Sequence, residues 1–594
     1  MNTQDLRFVL FEFLKLDRLM KSEKFSQLEI NDLDMTLKEA EKIAINILSP
    51  ANKEGDREGC HLENSSVRVP KSFHRCWRAL AENGWISLAE NPDFGGQGLP
   101  PIIETAVKEL FIRANMAFSL YPGLSVGACQ LIELNGRDED RSLFCRNMYS
   151  GRWAGTMCLT EPEAGSDLGA IKTKAIPDGT EYKIKGTKCF ISGGDHDLTD
   201  NIIHLVLARI EGAPEGTKGL SLFIVPKIWV EKNGNLGKPN DVKSVSVEEK
   251  MGIKGSATVM LNFGEDDQCR GILLGEKHSG IAKMFHLMNR ARMSTALQSL
   301  GLSAAAYECA LEYAKSRIQS PLITNPKGGS VPIIEHADVR RMLMTMKAQV
   351  EGMRVLFLKA QMLLDMSKYA EDPKERKKCG EIAEFMIPLC KAHCSDTAYL
   401  VCRDAVQVLG GYGFTKDYSV EQYLRDCKIG SIWEGTNFIQ SLDVVGRKLR
   451  PEGNHFNSWM EEIEKFILEN TGDADFDAET ALLREAAEKI KHEVEKTLQL
   501  FGQKETRANV TLFSTRLLDS CAELNIGYLL LSESMLARKL MEPLKSNSEE
   551  RTFYAGKIST AKFYIRNILV NIWGRSKAFD LFDDSALKMS QEGF

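Results

Sequence analysis

The chain has 594 residues, too many for one hydrophobic core, so roughly two to four domains are expected. Hydrophobic residues at 43% and charged residues at 27% are ordinary for a soluble globular protein. A net charge of −6 with a pI near 6.1 leaves no basic footprint for nucleic acid, and no run reaches the roughly 18 apolar residues of a membrane helix.

In chain order, MNTQDLRFVLFEFLKLDRLMKSEKF alternates charged and apolar residues at helical spacing. It has neither the order of a secretory signal nor the Arg- and Ser-rich texture of a transit peptide, so a cytoplasmic chain is expected. Residues 1–150 read as mostly helical, with a loop at NPDFGGQGLP (91–100). Residues 151–275 change to short β-branched runs: EYKIKGTKCFI (181–191), NIIHLVLARI (201–210), GLSLFIVP (219–226) and ATVMLNF (257–263). Bounded by Gly, Pro or Asp, these predict a compact β domain. Helical periodicity returns over 276–450 in segments long enough for bundle helices, and 451–594 adds a further helical stretch beyond PEGNH. The fourteen cysteines form no C-x-x-C pair and read as small buried hydrophobes of a reducing compartment. CKAHC puts Cys390, His393 and Cys394 on adjacent helical positions without a fourth ligand, so no metal is expected.

Three stretches bear on chemistry. FGGQGLP and LGGYGF are glycine-rich, but neither fits G-x-G-x-x-G between strand and helix, and no phosphate-loop or H-E-x-x-H motif is present. That disfavours nicotinamide and ATP and leaves flavin open. MCLTEPEAGSDLGAIKTKA (157–175) runs from a strand-like start into a turn. Gly165 and Ser166 there could cup a phosphate, or the turn could be a surface turn closed by Asp and Ser side chains. SIWEGTNFIQ (431–440) sets Glu434 just before a helix capped by Thr436. The helix dipole lowers the pKa of a carboxylate there, and desolvation by Ile432 and Trp433 raises it. By itself this stretch fits either a helix-entry carboxylate or a catalytic base.

TEPEAGSD, KMGIKGSAT (250–258), QVLGGYGF (407–414) and WEGTNFIQ (433–440) occur in this order. Together they resemble the acyl-CoA dehydrogenase family over roughly residues 70–450, and the added C-terminal helices are similar to the family's long bacterial branch. The resemblance implies an α+β chain: a helical N-terminal domain (1–150), a central β-barrel-like domain (151–275), a four-helix-bundle FAD and catalytic domain (276–450), and an appended C-terminal helical domain (451–594). It also implies a homodimer.

The cofactor implied is FAD and the substrate an acyl-CoA, oxidised to a trans-2-enoyl-CoA with electron-transfer flavoprotein as acceptor. Glu434 matches the base that removes the α proton; the position that carries the base in other branches is Ala291, which cannot accept one. Met157, Leu159 and Thr160 match the strand along the flavin ring, Thr160 as a donor. Gly165 and Ser166 match pyrophosphate and pantetheine contacts, and Phe190 and Ser192 the wall behind the ring. Arg317, Gln319, Gln407 and Gly411 match residues reaching the FAD diphosphate and adenosine of a neighbouring subunit; Thr436 touches the flavin side. Ser166, Asn289, Arg292, Trp433 and Gly435 fall on the substrate side, with Asn289 where the family has an acidic residue and Trp433 where tyrosine is usual. An acyl-CoA oxidase and a non-catalytic flavin-bearing binding protein are the alternatives.

Overall fold

A strand apolar on both faces needs cover on both, and NIIHLVLARI is such a strand. In the computed structural model, which describes residues 1–594 apart from the side chains of 285–287, it runs Asn201–Ile210 with every residue buried except Arg209. It belongs to an eight-stranded mixed sheet of β1 (Trp153–Cys158), β2 (Lys174–Asp178), β3 (Glu181–Ser192), β4 (Asn201–Ile210), β5 (Leu220–Pro226), β6 (Val242–Val247), β7 (Thr258–Phe263) and β8 (Arg270–Leu273). The order across it is β6-β7-β3-β8-β5-β4-β1, with β2 joined to β3 and β4. β1 runs parallel to β4, Trp153 opposite Asn201 and Cys158 opposite Val206. The sheet and the helices that cover it form one compact unit, residues 34–291.

In the same unit α1 (Pro101–Asn135) is buried on nearly every face, as its apolar sequence requires. Asn115 interrupts it at φ −160°, ψ 91°. Its side chain caps the second half by accepting from the Phe118 N–H (3.1 Å) and donates to the Leu48 carbonyl (3.3 Å), so the break leaves few groups unpaired.

Residues 1–33 and 292–594 form the second unit. Its long helices are the greater part of α2 (Gly280–Ser316), then α3 (Ala337–Tyr369) and α4 (Pro373–Leu409). The RDCKIGSIW segment, open between helix and strand by its sequence, is helical: α5 (Val420–Cys427) runs into a short tighter turn, Lys428–Ser431. After it come α6 (Asn437–Asp443), α7 (Asp477–Gly502), α8 (Arg507–Met541) and α9 (Glu549–Tyr564). Among the described residues no helix is long and apolar enough to cross a membrane.

One buried ammonium joins distant parts of this second unit. Lys557 Nζ on α9 lies 2.7 Å from Asp5, 3.2 Å from Glu351 on α3 and 2.6 Å from Glu533 on α8. Arg354 adds a 2.6 Å pair to Asp5, and Lys347 pairs with Glu351. Burial and the neighbouring carboxylates Asp5 and Glu351 push Glu533 up to about 8, against the pull of Lys557. Between the ordinary carboxylate range and that value the folded chain holds a proton that the unfolded chain has released. Stability therefore falls as pH rises through that window, by about 1.4 kcal/mol per pH unit. Urea denaturation of the ligand-free protein at pH 5.5, 6.5 and 7.5 is expected to show this fall, and Glu533→Gln to flatten it; an unchanged slope in the variant would place the proton elsewhere.

Candidate active site

Glu434 sits where the backbone itself is strained. It is a non-glycine residue at φ +53°, followed by Gly435 at φ +81°. Two consecutive left-handed residues make a tight reversal, and glycine at the second carries no side-chain penalty there. The reversal is held from the following helix. Gln440 Nε2 donates to the carbonyls of Gly435 (3.1 Å) and Glu434 (3.5 Å). Thr436 caps α6, its hydroxyl accepting from the Ile439 N–H at 3.3 Å, as the sequence predicts. Asn437, the first residue of α6, takes the Lys391 ammonium on its Oδ1 (2.8 Å) and donates to Ser395 Oγ (3.0 Å) and the Ala392 carbonyl (3.3 Å). Gly430 completes the seat: a Cβ there would meet Ser299 Oγ at 3.1 Å and Ser395 Cβ at 3.2 Å.

Electrostatics decide what this carboxylate can do. Burial raises the Glu434 pKa above the ordinary value, and Lys391 and Arg292 oppose that rise without cancelling it. Of the two pushes expected from the sequence, desolvation wins over the helix N-terminus. Among the described residues no hydrogen bond reaches the carboxylate, which leaves its oxygens open to an incoming proton. Beside it, burial lowers Lys391 to about 8, with Asp396 and Glu434 pulling it back up. Arg292 is itself buried and spends a 2.6 Å bond on Asp443. The Trp433 indole N–H is buried without a partner, an orphan donor next to the carboxylate in sequence.

The TEPEAGSD turn lies in the sheet unit. Met157 is half-buried one residue before the end of β1, Leu159 and Thr160 follow the strand, and Gly165 and Ser166 are exposed. Phe190 is the unexpected feature. Between Lys188 and Ile191, β3 carries one residue more than β7 opposite it, a β-bulge. Phe190 stands in that bulge at φ +57° with 64% of its surface exposed, while Ser192 two residues on is half-buried opposite Thr258. Asn289 is half-buried on α2.

Arg317, Gln319 and Gly411 converge in the bundle unit on one open cleft of about 540 Å³, lined also by Tyr313, Tyr412, Thr415 and Asp417. Gln407 is exposed one helical turn before Gly411. Guanidinium, amide, hydroxyls and an aromatic ring are the donor set that a diphosphate and a nucleoside require. The residues lining this cleft thus fit the diphosphate and adenosine part of a flavin dinucleotide. Sequence reasoning missed Gln440 and Lys391 as partners of the Glu434 loop. Gln440 closes the WEGTNFIQ motif itself, and Lys391 is the middle cation of CKAHC, which was read for metal alone.

Known proteins agree with this reading of the fold. Four family profiles match in sequence: acyl-CoA dehydrogenase N-terminal domain (31–152), middle domain (156–265) and C-terminal domain (278–449), then an acetyl-CoA dehydrogenase C-terminal-like region (459–590). A butyryl-CoA dehydrogenase of Syntrophomonas wolfei is 39% identical over 100% of this chain and 98% of its own. The 3-methylmercaptopropionyl-CoA dehydrogenase of Ruegeria pomeroyi, from the long branch, is 38% identical over 76% of each. A Bacillus anthracis acyl-CoA dehydrogenase solved with FAD superposes with a TM-score of 0.75 at 22% identity, covering 97% of this chain and 91% of that one. Fold and site thus define a flavin-dependent oxidoreductase of helical and sheet domains. The chain belongs to the acyl-CoA dehydrogenase family. It is an acyl-CoA dehydrogenase, and FAD is its cofactor.

A raised carboxylate pKa makes Glu434 a liability when nothing is bound. The ionised form is disfavoured in the folded state, so stability is lost as pH rises from the ordinary carboxylate range through the raised value of Glu434. Glu434→Gln is expected to raise the melting temperature of the ligand-free protein at pH 8, with the gain shrinking toward pH 5. A variant equal to or less stable than the parent at pH 8 would show the carboxylate to be well solvated.

Proposed function

We propose that this enzyme removes the α proton of a short, unbranched acyl-CoA with Glu434 and releases the trans-2-enoyl-CoA. The observation that carries the reading is the Glu434 carboxylate: desolvated, unbonded and held on a strained reversal. Such a group is a stronger base than one in water, and its position is fixed before substrate arrives. FAD, when bound, supplies the acceptor for the β hydrogen and its electron pair.

The remaining work falls to the chain. Glu434 takes the α proton onto its carboxylate as the β hydrogen leaves. Gln440 and the Thr436 cap keep the Glu434–Gly435 reversal from relaxing. A backbone N–H beside Glu434 suits the developing negative charge on the thioester oxygen, a contribution of about 3 kcal/mol in other enzymes. Lys391 and Arg292 limit how far burial raises Glu434. Met157, Leu159, Thr160, Gly165, Ser166, Phe190 and Ser192 would hold FAD from the sheet unit. Arg317, Gln319, Gln407 and Gly411 would reach the FAD diphosphate and adenosine of a neighbouring subunit, and Thr436 would touch the flavin side. Asn289, Arg292, Trp433 and Gly435 would serve the acyl-CoA.

The choice of a short acyl chain is supported by the butyryl and 3-methylmercaptopropionyl relatives, both named for short unbranched acyl groups. Trp433, bulkier than the tyrosine usual in the family, agrees with a shallow pocket. Electron-transfer flavoprotein as acceptor and a homodimer rest on the family resemblance.

Anaerobic titration of the FAD-loaded protein with acyl-CoAs of increasing length is the test. Bleaching of the flavin band is expected first and fastest with butyryl-CoA, and Glu434→Gln should bind FAD yet reduce it at least 100-fold more slowly. Parent-like bleaching in that variant would move the base elsewhere, and a preference for long chains would sink the short-chain assignment.

A further inference from the structure

Lys188 is the most deeply buried ammonium of the sheet unit, and the chemistry above makes no use of it. Its side chain is 0% exposed. Nζ donates to Glu161 Oε1 at 2.8 Å and to the Leu159 carbonyl at 2.8 Å. Glu161 is held in turn: it accepts from the Lys172 N–H (2.6 Å), the Thr173 N–H (3.0 Å) and the Thr173 hydroxyl (2.6 Å). Its own backbone closes the turn against Ala164 with two 3.0 Å bonds. Gly186 leaves the space that Thr173 fills, since a Cβ there would meet Thr173 Oγ1 at 2.4 Å. The ion pair is thus fixed on every side, which is the condition under which a buried pair specifies geometry.

The consequence follows from the planarity of the peptide bond. In a trans peptide the C=O of one residue and the N–H of the next point in opposite directions. Lys188 takes the Leu159 carbonyl, so the Thr160 N–H points away from the Lys188 ammonium. The next carbonyl, that of Thr160, is taken by the Cys189 N–H at 3.0 Å, and the N–H after it, that of Glu161, is spent on Ala164. Of the donors along this edge, Thr160 N–H is left facing outward, and no described group accepts from it.

We propose that Lys188, with Glu161 as its counter-charge, is a positioning residue that orients the Thr160 N–H for the flavin ring. This rests on the placement of Thr160 along the flavin given above, and extends it to a residue that never touches the cofactor. Burial lowers the Lys188 pKa and Glu161 opposes the fall, while Glu161 is held below its ordinary value by Lys188 and its hydrogen bonds despite desolvation. Each group thus needs the other to stay charged.

Two measurements separate the layers. Hydrogen–deuterium exchange of the full-length protein, with and without FAD, reads the segment 157–163. Protection on loading is expected; its absence in a chain that binds FAD would take Thr160 off the flavin and remove the reading beneath this inference. With protection seen, Lys188→Met is expected to weaken FAD binding to the apoprotein about 10-fold and to shift the visible flavin band, with Lys188→Arg recovering both. A folded Lys188→Met chain with parental affinity and spectrum overturns the inference. Should that chain fail to fold, Glu161→Gln keeps the shape and removes the counter-charge: an affinity about threefold weaker is expected, and an unchanged one overturns the inference equally.

Discussion

A carboxylate taken out of water and left without a hydrogen bond is unstable unless something else fixes it, and the Glu434 region is organised around that constraint. Glu434 carries two separate costs. The left-handed backbone costs about 1–3 kcal/mol for a residue with a Cβ, and desolvation disfavours the ionised form. Neither would persist in an isolated loop. They persist because the next residues are over-determined: Gln440 grips two carbonyls, Thr436 caps the helix, and Asn437 is bonded to three groups of α4. The same loop cannot drift toward α2 and α4, because Gly430 already sits at van der Waals contact with Ser299 and Ser395. Strain at the reacting group is thus balanced by rigidity a few residues on.

Three buried ammoniums show how the same physics is set to different ends. Lys557 touches three carboxylates and its pKa is raised despite complete burial. Lys188 touches one carboxylate and is lowered. Lys391 bonds only the neutral amide oxygen of Asn437 and falls to about 8. Burial works against all three, and only the ammonium with three direct counter-charges is raised. Lys557 is a permanent cation that ties Asp5, α3, α8 and α9 together. Lys188 is a cation kept charged by one partner so that it can hold one carbonyl. Lys391 is left readily neutralised, beside the one carboxylate whose proton affinity matters most.

Much of this was legible in the sequence, and the limits are physical. Apolar runs such as NIIHLVLARI report burial on both faces whatever covers them, so the strands were readable. Thr436 as a cap is local chemistry over three residues. The shorter strands Lys174–Asp178, Val242–Val247 and Arg270–Leu273 are not legible in the sequence, because short strands with little apolar alternation take their structure from their neighbours rather than from their own pattern. The pairs that matter most to the sites lie far apart in sequence: Lys188 with Glu161, Lys391 with Asn437, Lys557 with Asp5. No periodicity links residues at such separations. The sign of the Glu434 shift was also open, since a helix N-terminus and an apolar neighbourhood push in opposite directions and only the fold sets their ratio.

Backbone outliers add an independent line of argument. Five of the twelve non-glycine residues at positive φ among the described residues are accounted for locally: Asn64, Asp241, Asp267 and Asn454 have side chains that tolerate the left-handed region, and Phe582 caps the end of a helix. Phe190, Ile253 and Glu434 have no such excuse, and a β-branched residue such as Ile253 is the hardest of the three to hold there. Ile253 and Glu434 lie in two of the stretches that carry the family resemblance, KMGIKGSAT and WEGTNFIQ, and Phe190 lies in KCFISGG (188–194), where the resemblance places the wall behind the flavin ring. Strain in three motifs distant in sequence, each at a bulky or charged side chain, is what results when backbone geometry is dictated by something other than local stability. In Phe190 it turns a ring outward through a bulge; in Glu434 it holds a carboxylate away from water. Both are arrangements whose cost local stability does not repay.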